Sequence, residues 1–372
     1  MAAPASASAT IFGEDQRIET EQAGASWAAL TRDAIVVMLD TSSVDLCQGV
    51  ALHQPVATIG ERQMLCAGER FTDQPAVGRC SATLIEPDVI VTAAHCIPDA
   101  AACATRVFAR APYYASDGSL HLPSASEVAA CRRILVQPAG LDVAIVQLEH
   151  AIGDHPAQLA PAAPGLDAAI AAIGFPSGMP AKFSPCHVRG VVPSGIRHDC
   201  DLFRGNSGSG TFDSEGRLYG VYSMGAGDYK PNGECRIPVI YGDDGTLPGV
   251  TVPQFGMSAA IAAAVTELCD QGWHGALCGP ASPCNGDDCL TPACGDGVCS
   301  LVSERTSCAA DCDFLGCVLP PPPPTDAAMD PTPVPDGGGC AANSAKSSQT
   351  ALALLLVAMV AAKKKRRRNK SF

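Results

Sequence analysis

Apolar residues in this chain come in short runs separated by glycine, proline and polar clusters, a spacing that predicts short strands with tight turns. Val89-Ile90-Val91-Thr92 is a β-branched run that ends in Ala93-Ala94 and then His95-Cys96, which predicts a buried strand running into a compact turn. Ala82 to Ile85 has the same character. Val143 to Leu148 is a continuous apolar strand with an acid, Asp142, at its mouth. Leu218 to Tyr222 is a further strand, and Ser258 to Leu268 has a helical pattern. Beyond residue 268 the apolar pattern stops, and it returns only as the twelve-residue run Ala351 to Ala362.

Composition agrees with a strand-rich protein. Only 5% of the 372 residues are aromatic and 36 are glycine, and the length suffices for one sizeable domain with appendages. The formal charge is −13. Setting aside Lys363 to Arg368 and Lys370 leaves 18 basic groups against 38 acidic ones, a charge of −20. An acidic body of this kind argues against nucleic acid as a partner. Nineteen cysteines indicate an oxidising compartment. Cys80 and Cys96 flank adjacent strands and are placed to be bridged. A structural zinc would need paired cysteine knuckles with histidine, and these are missing.

Arg204-Gly205-Asn206-Ser207-Gly208-Ser209-Gly210 places a serine between glycines, where the backbone can turn sharply and present a hydroxyl. Such a serine needs a base, and the base needs an orienting carboxylate. Of eight histidines, His53, His121, His150, His155, His187, His198 and His274 lie among turn-like or polar residues and read as surface histidines. His95 stands apart, at the end of a buried strand. Asp142 would be costly to bury unless paired, and an imidazole N–H is a fitting partner. Standing alone, each has an ordinary structural reading: a Gly/Ser loop, a core histidine, a turn aspartate.

Taken together, Thr92-Ala93-Ala94-His95-Cys96, Leu141-Asp142-Val143-Ala144-Ile145 and Gly205-Asn206-Ser207-Gly208-Ser209 resemble, in order, the three motifs of trypsin-like serine peptidases, and most of all the bacterial V8-like branch. The resemblance covers residues 11–268, and Ile11 to Arg17 is similar to the start of mature V8-like domains. It implies an all-β fold of two six-stranded antiparallel barrels with a C-terminal helix. It also implies that Ser207 is the nucleophile, His95 the base, Asp142 the orienting acid, and the amides of Gly205 and Ser207 the oxyanion hole. Protein or peptide substrates follow, with no cofactor and no catalytic metal.

The same resemblance gives a substrate cleft. Ser223-Met224-Gly225 resembles the segment that pairs with substrate backbone, with Met224 where tryptophan is usual. Ser223, Gly225 and Gly249 would line the substrate site with Asp201, six residues before Ser207. Asp201 then has two readings: the carboxylate of a basic P1 pocket, or a structural residue ahead of the serine motif. Tyr222 stands where glutamate-specific members carry histidine. Asn206 is uncharged, so the salt bridge to a new N-terminus that activates digestive members has no acid here. Arg204 is expected to be solvated. Cys186 and Cys200 flank the segment leading to the serine loop and are a second expected bridge, and Cys103–Cys131 is a further candidate.

Residues 1–10 carry Ala-x-Ala features without a hydrophobic core, so a signal peptide is not visible there. Residues 269–317 hold nine cysteines and predict a small disulfide-rich module. Its CGDGVC…E…C…DC pattern resembles a module of secreted myxobacterial proteins, in which Asp296, Glu304 and Asp311 offer a calcium site against a reading as solvated acids. Residues 318–339 form a Pro/Gly-rich linker. Residues 340–372, with Cys340, a short hydrophobic helix and a basic end, resemble a myxobacterial C-terminal sorting signal, and a simple membrane anchor is the rival. Together these place the protein outside the cell or on its surface. Two other functions stay open at this point: a catalytically silent binding module, and a surface protein that processes only itself.

Overall fold

The structure is a computed structural model. It describes residues 11–45, 51–52, 56–76, 78–225, 227–248, 253–273 and 275–278. The expected calcium site, sorting signal, linker and most of the cysteine-rich module lie outside the described residues, as does Gly249.

Twelve strands close into two antiparallel barrels of six, the trypsin-like double barrel. The first uses β1 (Ile35–Asp40), β2 (Cys80–Glu86), β3 (Val89–Thr92), β4 (Arg106–Arg110), β5 (Val128–Val136) and β6 (Ala144–Leu148). They pair in the order β5-β6-β3-β2-β1-β4, and β4 returns to β5. The second uses β7 (Ala169–Gly174), β8 (Lys182–Val192), β9 (Gly195–His198), β10 (Gly210–Asp213), β11 (Leu218–Met224) and β12 (Gly256–Ala260). Its order is β7-β10-β11-β12-β9-β8, closed by β7–β8 pairing. Closure gives every barrel strand a neighbour on each side, which suits short strands that could not stand as an open sheet.

The core follows the β-branched pattern. In β1, Ile35, Val36 and Val37 are fully buried, as are Val89, Ile90 and Val91 in β3. Ile145, Val146 and Leu148 of β6 complete the first barrel around Phe108. Ile170, Val188, Ile196, Phe203 and Tyr222 pack the second. A helix at Ala262–Asp270 follows β12. The helical pattern read from Ser258 therefore starts too early. Ser258 to Ala260 pair with β11 and β9, because closing the second barrel outweighs the helix propensity of a small-residue stretch.

Five disulfides brace the described residues. Cys80–Cys96, Cys103–Cys131 and Cys186–Cys200 are joined. Cys66–Cys235 ties the segment after the short helix Ile59–Gln63 to a hairpin (Tyr229–Asn232 with Cys235–Pro238) 169 residues on. Cys269–Cys278 closes a loop after the C-terminal helix. In that loop Trp273 Nε1 and the Leu277 amide both donate to Glu86, at 3.0 Å each. Residues 269–278 thus pack against the first barrel. Among the described residues no helix is long and apolar enough to cross a membrane.

Candidate active site

β3 and β6 are antiparallel neighbours with Thr92 opposite Ala144. The end of one strand therefore meets the start of the other, and residues just beyond each come together. His95 sits in a 3-10 turn after β3, and Asp142 lies two residues before β6. The carboxylate grips the histidine twice: the His95 amide donates to Asp142 Oδ1 at 2.9 Å, and Nδ1 lies 2.7 Å from Oδ2. From the other barrel, Ser223 Oγ donates to the same Oδ2 at 2.6 Å. Burial pushes the Asp142 carboxyl up, but the hydrogen bonds from His95 and Ser223 outweigh it and hold its pKa below the usual value. An ionised Asp142 can only accept, so Nδ1 carries the proton and Nε2 of the neutral ring is left with its lone pair.

Ser207 belongs to the tight loop before β10, and β2 holds that loop in place. The Ser81 amide donates to the Ser207 carbonyl at 2.8 Å, and Ser81 Oγ donates to the Gly205 carbonyl at 2.7 Å. Ser81 follows Cys80, and Cys80 is bridged to Cys96 beside His95. One covalent link and two hydrogen bonds thus fix the histidine turn and the serine loop to one strand. The loop's close fit explains two of its glycines. A Cβ on Gly205 (φ +96°) would lie 2.4 Å from the Phe175 carbonyl, and one on Gly208 (φ +83°) would lie 2.1 Å from the Ser81 carbonyl.

The loop also orients its amides. The Arg204 carbonyl accepts from the Ser177 amide, and the Asn206 carbonyl accepts from the Ser209 amide at 2.7 Å. In a planar trans peptide the N–H points opposite to the carbonyl. The amides of Gly205 and Ser207 therefore point away from those partners, and neither has an acceptor among the described residues. Asn206 is buried, donating from Nδ2 to the Phe203 carbonyl and accepting from Ser209 Oγ, at 3.1 Å each. Arg204 is largely exposed, with its amide 3.2 Å from the Asp228 carboxylate.

Of its two readings, Asp201 has the geometry of the structural one: it is 2% exposed, and its two oxygens accept the Phe12 amide at 2.8 Å and the Gln16 amide at 2.7 Å. It is an anchor for the N-terminal segment, where Ile11–Phe12 also pairs in parallel with Ile240–Tyr241. Each oxygen thus already accepts a backbone amide, and the buried carboxylate presents almost no surface to a substrate side chain. Burial pushes its pKa up to about 7 despite the two amides. Gly225 directly follows β11, and Met224 is exposed. The strand facing Tyr222 and Met224 is β12, which begins at Gly256.

Sequence reading also misplaced His198, which is fully buried instead of at the surface. Its Nδ1 accepts the Cys200 amide at 3.3 Å, and Nε2 therefore donates to Ser258 Oγ, 2.9 Å away. Ser258 Oγ is 2.6 Å from Thr211 Oγ1, and the His198 ring lies 5.8 Å from that of Tyr222. Burial pushes the imidazole down to about 4, so it is neutral at ordinary pH. The signal was available in β9, where Ile196 and His198 face inward and Arg197 outward.

Residues 80–221 match the family model described as a trypsin-like peptidase domain. No curated protein matches the sequence. Among solved structures, a glutamyl endopeptidase bound to MPD is similar, at 17% identity and a TM-score of 0.42, over 70% of this chain and 98% of that one. The inactive form of the Rv3671c protease is similar at 15% identity and a TM-score of 0.37, over 66% and 90% of the two chains; a variant of it is from M. tuberculosis H37Rv.

Proposed function

We propose that the protein is a serine endopeptidase acting through Ser207, His95 and Asp142. The observation that carries this reading is Asp142, held from both barrels and gripping His95 through Nδ1 and backbone. That grip fixes the tautomer in which Nε2 can take a proton. Ser207 Oγ would attack the scissile carbonyl as its proton passes to His95 Nε2, giving a tetrahedral oxyanion. The Gly205 and Ser207 amides supply two donors for that charge, and losing one such donor typically costs about 100–1000-fold in rate. His95 then returns the proton to the leaving amine, and an acyl-Ser207 ester remains for water to hydrolyse.

The edge of β11 at Ser223 to Gly225 suits pairing with substrate backbone as an added strand. With Asp201 engaged by the N-terminal segment, basic P1 preference loses its carboxylate and forms no part of the proposal. Five disulfides among the described residues support a place in an oxidising compartment, outside the cell or on its surface.

Labelling with a fluorophosphonate tests the reading. Oxidised, folded protein is expected to take one adduct on Ser207, and Ser207→Ala none. An unlabelled wild type, folded by circular dichroism, would leave the silent binding module as the better account.

A further inference from the structure

We propose that Tyr229 is a positioning residue for the oxyanion hole, holding the Arg204–Gly205 peptide in one orientation through Ser177. This rests on the peptidase reading, in which the Gly205 amide receives the developing charge. That amide faces the hole only while the Arg204 carbonyl points the opposite way. Residue 205 is a glycine in the left-handed region (φ +96°), so no side chain of its own decides which way the peptide faces. A peptide turned over would put a carbonyl oxygen where the oxyanion must sit. The Ser177 amide opposes that rotation by donating to the Arg204 carbonyl.

Ser177 is therefore the prop of the hole, and it is held in a conformation that serine rarely takes. Its φ of +55° and ψ of +15° are left-handed, where a Cβ crowds the following carbonyl. A residue kept this way needs a restraint from its surroundings, and such strain gathers at functional sites. The restraint is Tyr229, whose hydroxyl lies 3.1 Å from Ser177 Oγ. Tyr229 is itself fixed from three sides. Its ring centre packs 4.8 Å from that of Phe203, in the segment leading to Ser207. Its carbonyl accepts from Arg236 Nη2 at 3.2 Å. It also opens the hairpin that the Cys66–Cys235 bridge ties down. Burial pushes its pKa up to about 12, so the hydroxyl keeps its proton and can donate. Packing on Phe203 and holding Ser177 are separable roles, because phenylalanine keeps the ring and loses only the hydroxyl.

Tyr229→Phe in the full, oxidised chain tests the proposal with a fluorophosphonate as probe. Ser207 Oγ bonds to phosphorus as fluoride leaves, and the phosphoryl oxygen then takes the oxyanion's place. The labelling rate at saturating probe is expected to fall about tenfold, with the probe concentration at half-saturation changed less than about twofold. The ³¹P resonance of the adduct is expected to move, and the melting temperature to drop by no more than about 4 °C. A purely structural role would lower the melting temperature and leave the rate and resonance of the folded protein unchanged. Ser177→Ala is expected to show the same tenfold loss, and the double variant no further loss, because both act through one bond. The proposal is overturned if Tyr229→Phe labels at the wild-type rate with an unmoved resonance, or if the two losses multiply to about a hundredfold. A wild type that takes no label sinks the peptidase reading and this proposal with it, and is told apart because no variant is involved.

Discussion

Asp142 accepts three hydrogen bonds, and in the proposed mechanism its part is to hold His95 in a single orientation. Ser223 supplies the bond that comes from the opposite barrel. Ser223→Ala is expected to lower kcat/KM about tenfold, the rate equivalent of about 1.4 kcal/mol, while fluorophosphonate still labels Ser207, only more slowly. Unchanged kinetics would show that His95 alone positions the acid. Asp201 makes a second prediction, with a sign fixed by its environment. Its folded pKa of about 7 lies above the usual 3.8, so the folded state holds a proton that the unfolded chain has released. Its contribution to stability is therefore largest at low pH and is lost as pH rises from about 4 to about 7. His198, depressed to about 4 from 6.5, acts in the opposite direction over part of that window. The test is thus the difference in unfolding free energy between wild type and Asp201→Asn, in which His198 cancels. That difference is expected to fall as pH rises through the window, and a flat or rising one contradicts the assignment.

Strands β3 and β6 show why the proposed reacting groups were legible in the sequence. Each is a buried β-branched run with a polar residue just past one end, and antiparallel pairing brings those ends together. The serine loop was legible for a similar reason, since its glycines answer to contacts a side chain would break. What stayed hidden depends on distant partners. The amides that occupy Asp201 lie 189 and 185 residues away, and no local pattern distinguishes an anchoring acid from a substrate-binding one. His198 was missed because the alternation in β9 is only four residues long. Between these elements runs the Cys80–Cys96 bridge, which closes a loop of 16 residues. Cys80→Ala with Cys96→Ala is expected to cost about 3 kcal/mol of stability, measured by urea unfolding. The same variant is expected to lose more activity than stability alone explains, because the bridge also fixes the turn that carries His95.

At the scale of the molecule, the segment after the second barrel returns to the first. After leaving the second barrel through the C-terminal helix, it docks Trp273 and Leu277 on Glu86 of β2. Glu86 is 5% exposed, so its removal strands donors in a poorly solvated place. Glu86→Ala is expected to cost about 1–3 kcal/mol and to shift the emission of Trp273 to the red. The chain has only one other tryptophan, Trp27, packed 5.1 Å from Phe183, so the shift can be assigned. The Cys66–Cys235 bridge has a different reach, because its two ends enclose nearly the whole of both barrels. A single backbone cut anywhere between them leaves one covalent molecule. A nicked chain would run as one band on a gel until a reductant separated the pieces, and fragments made outside the cell would stay tethered to the body that produced them.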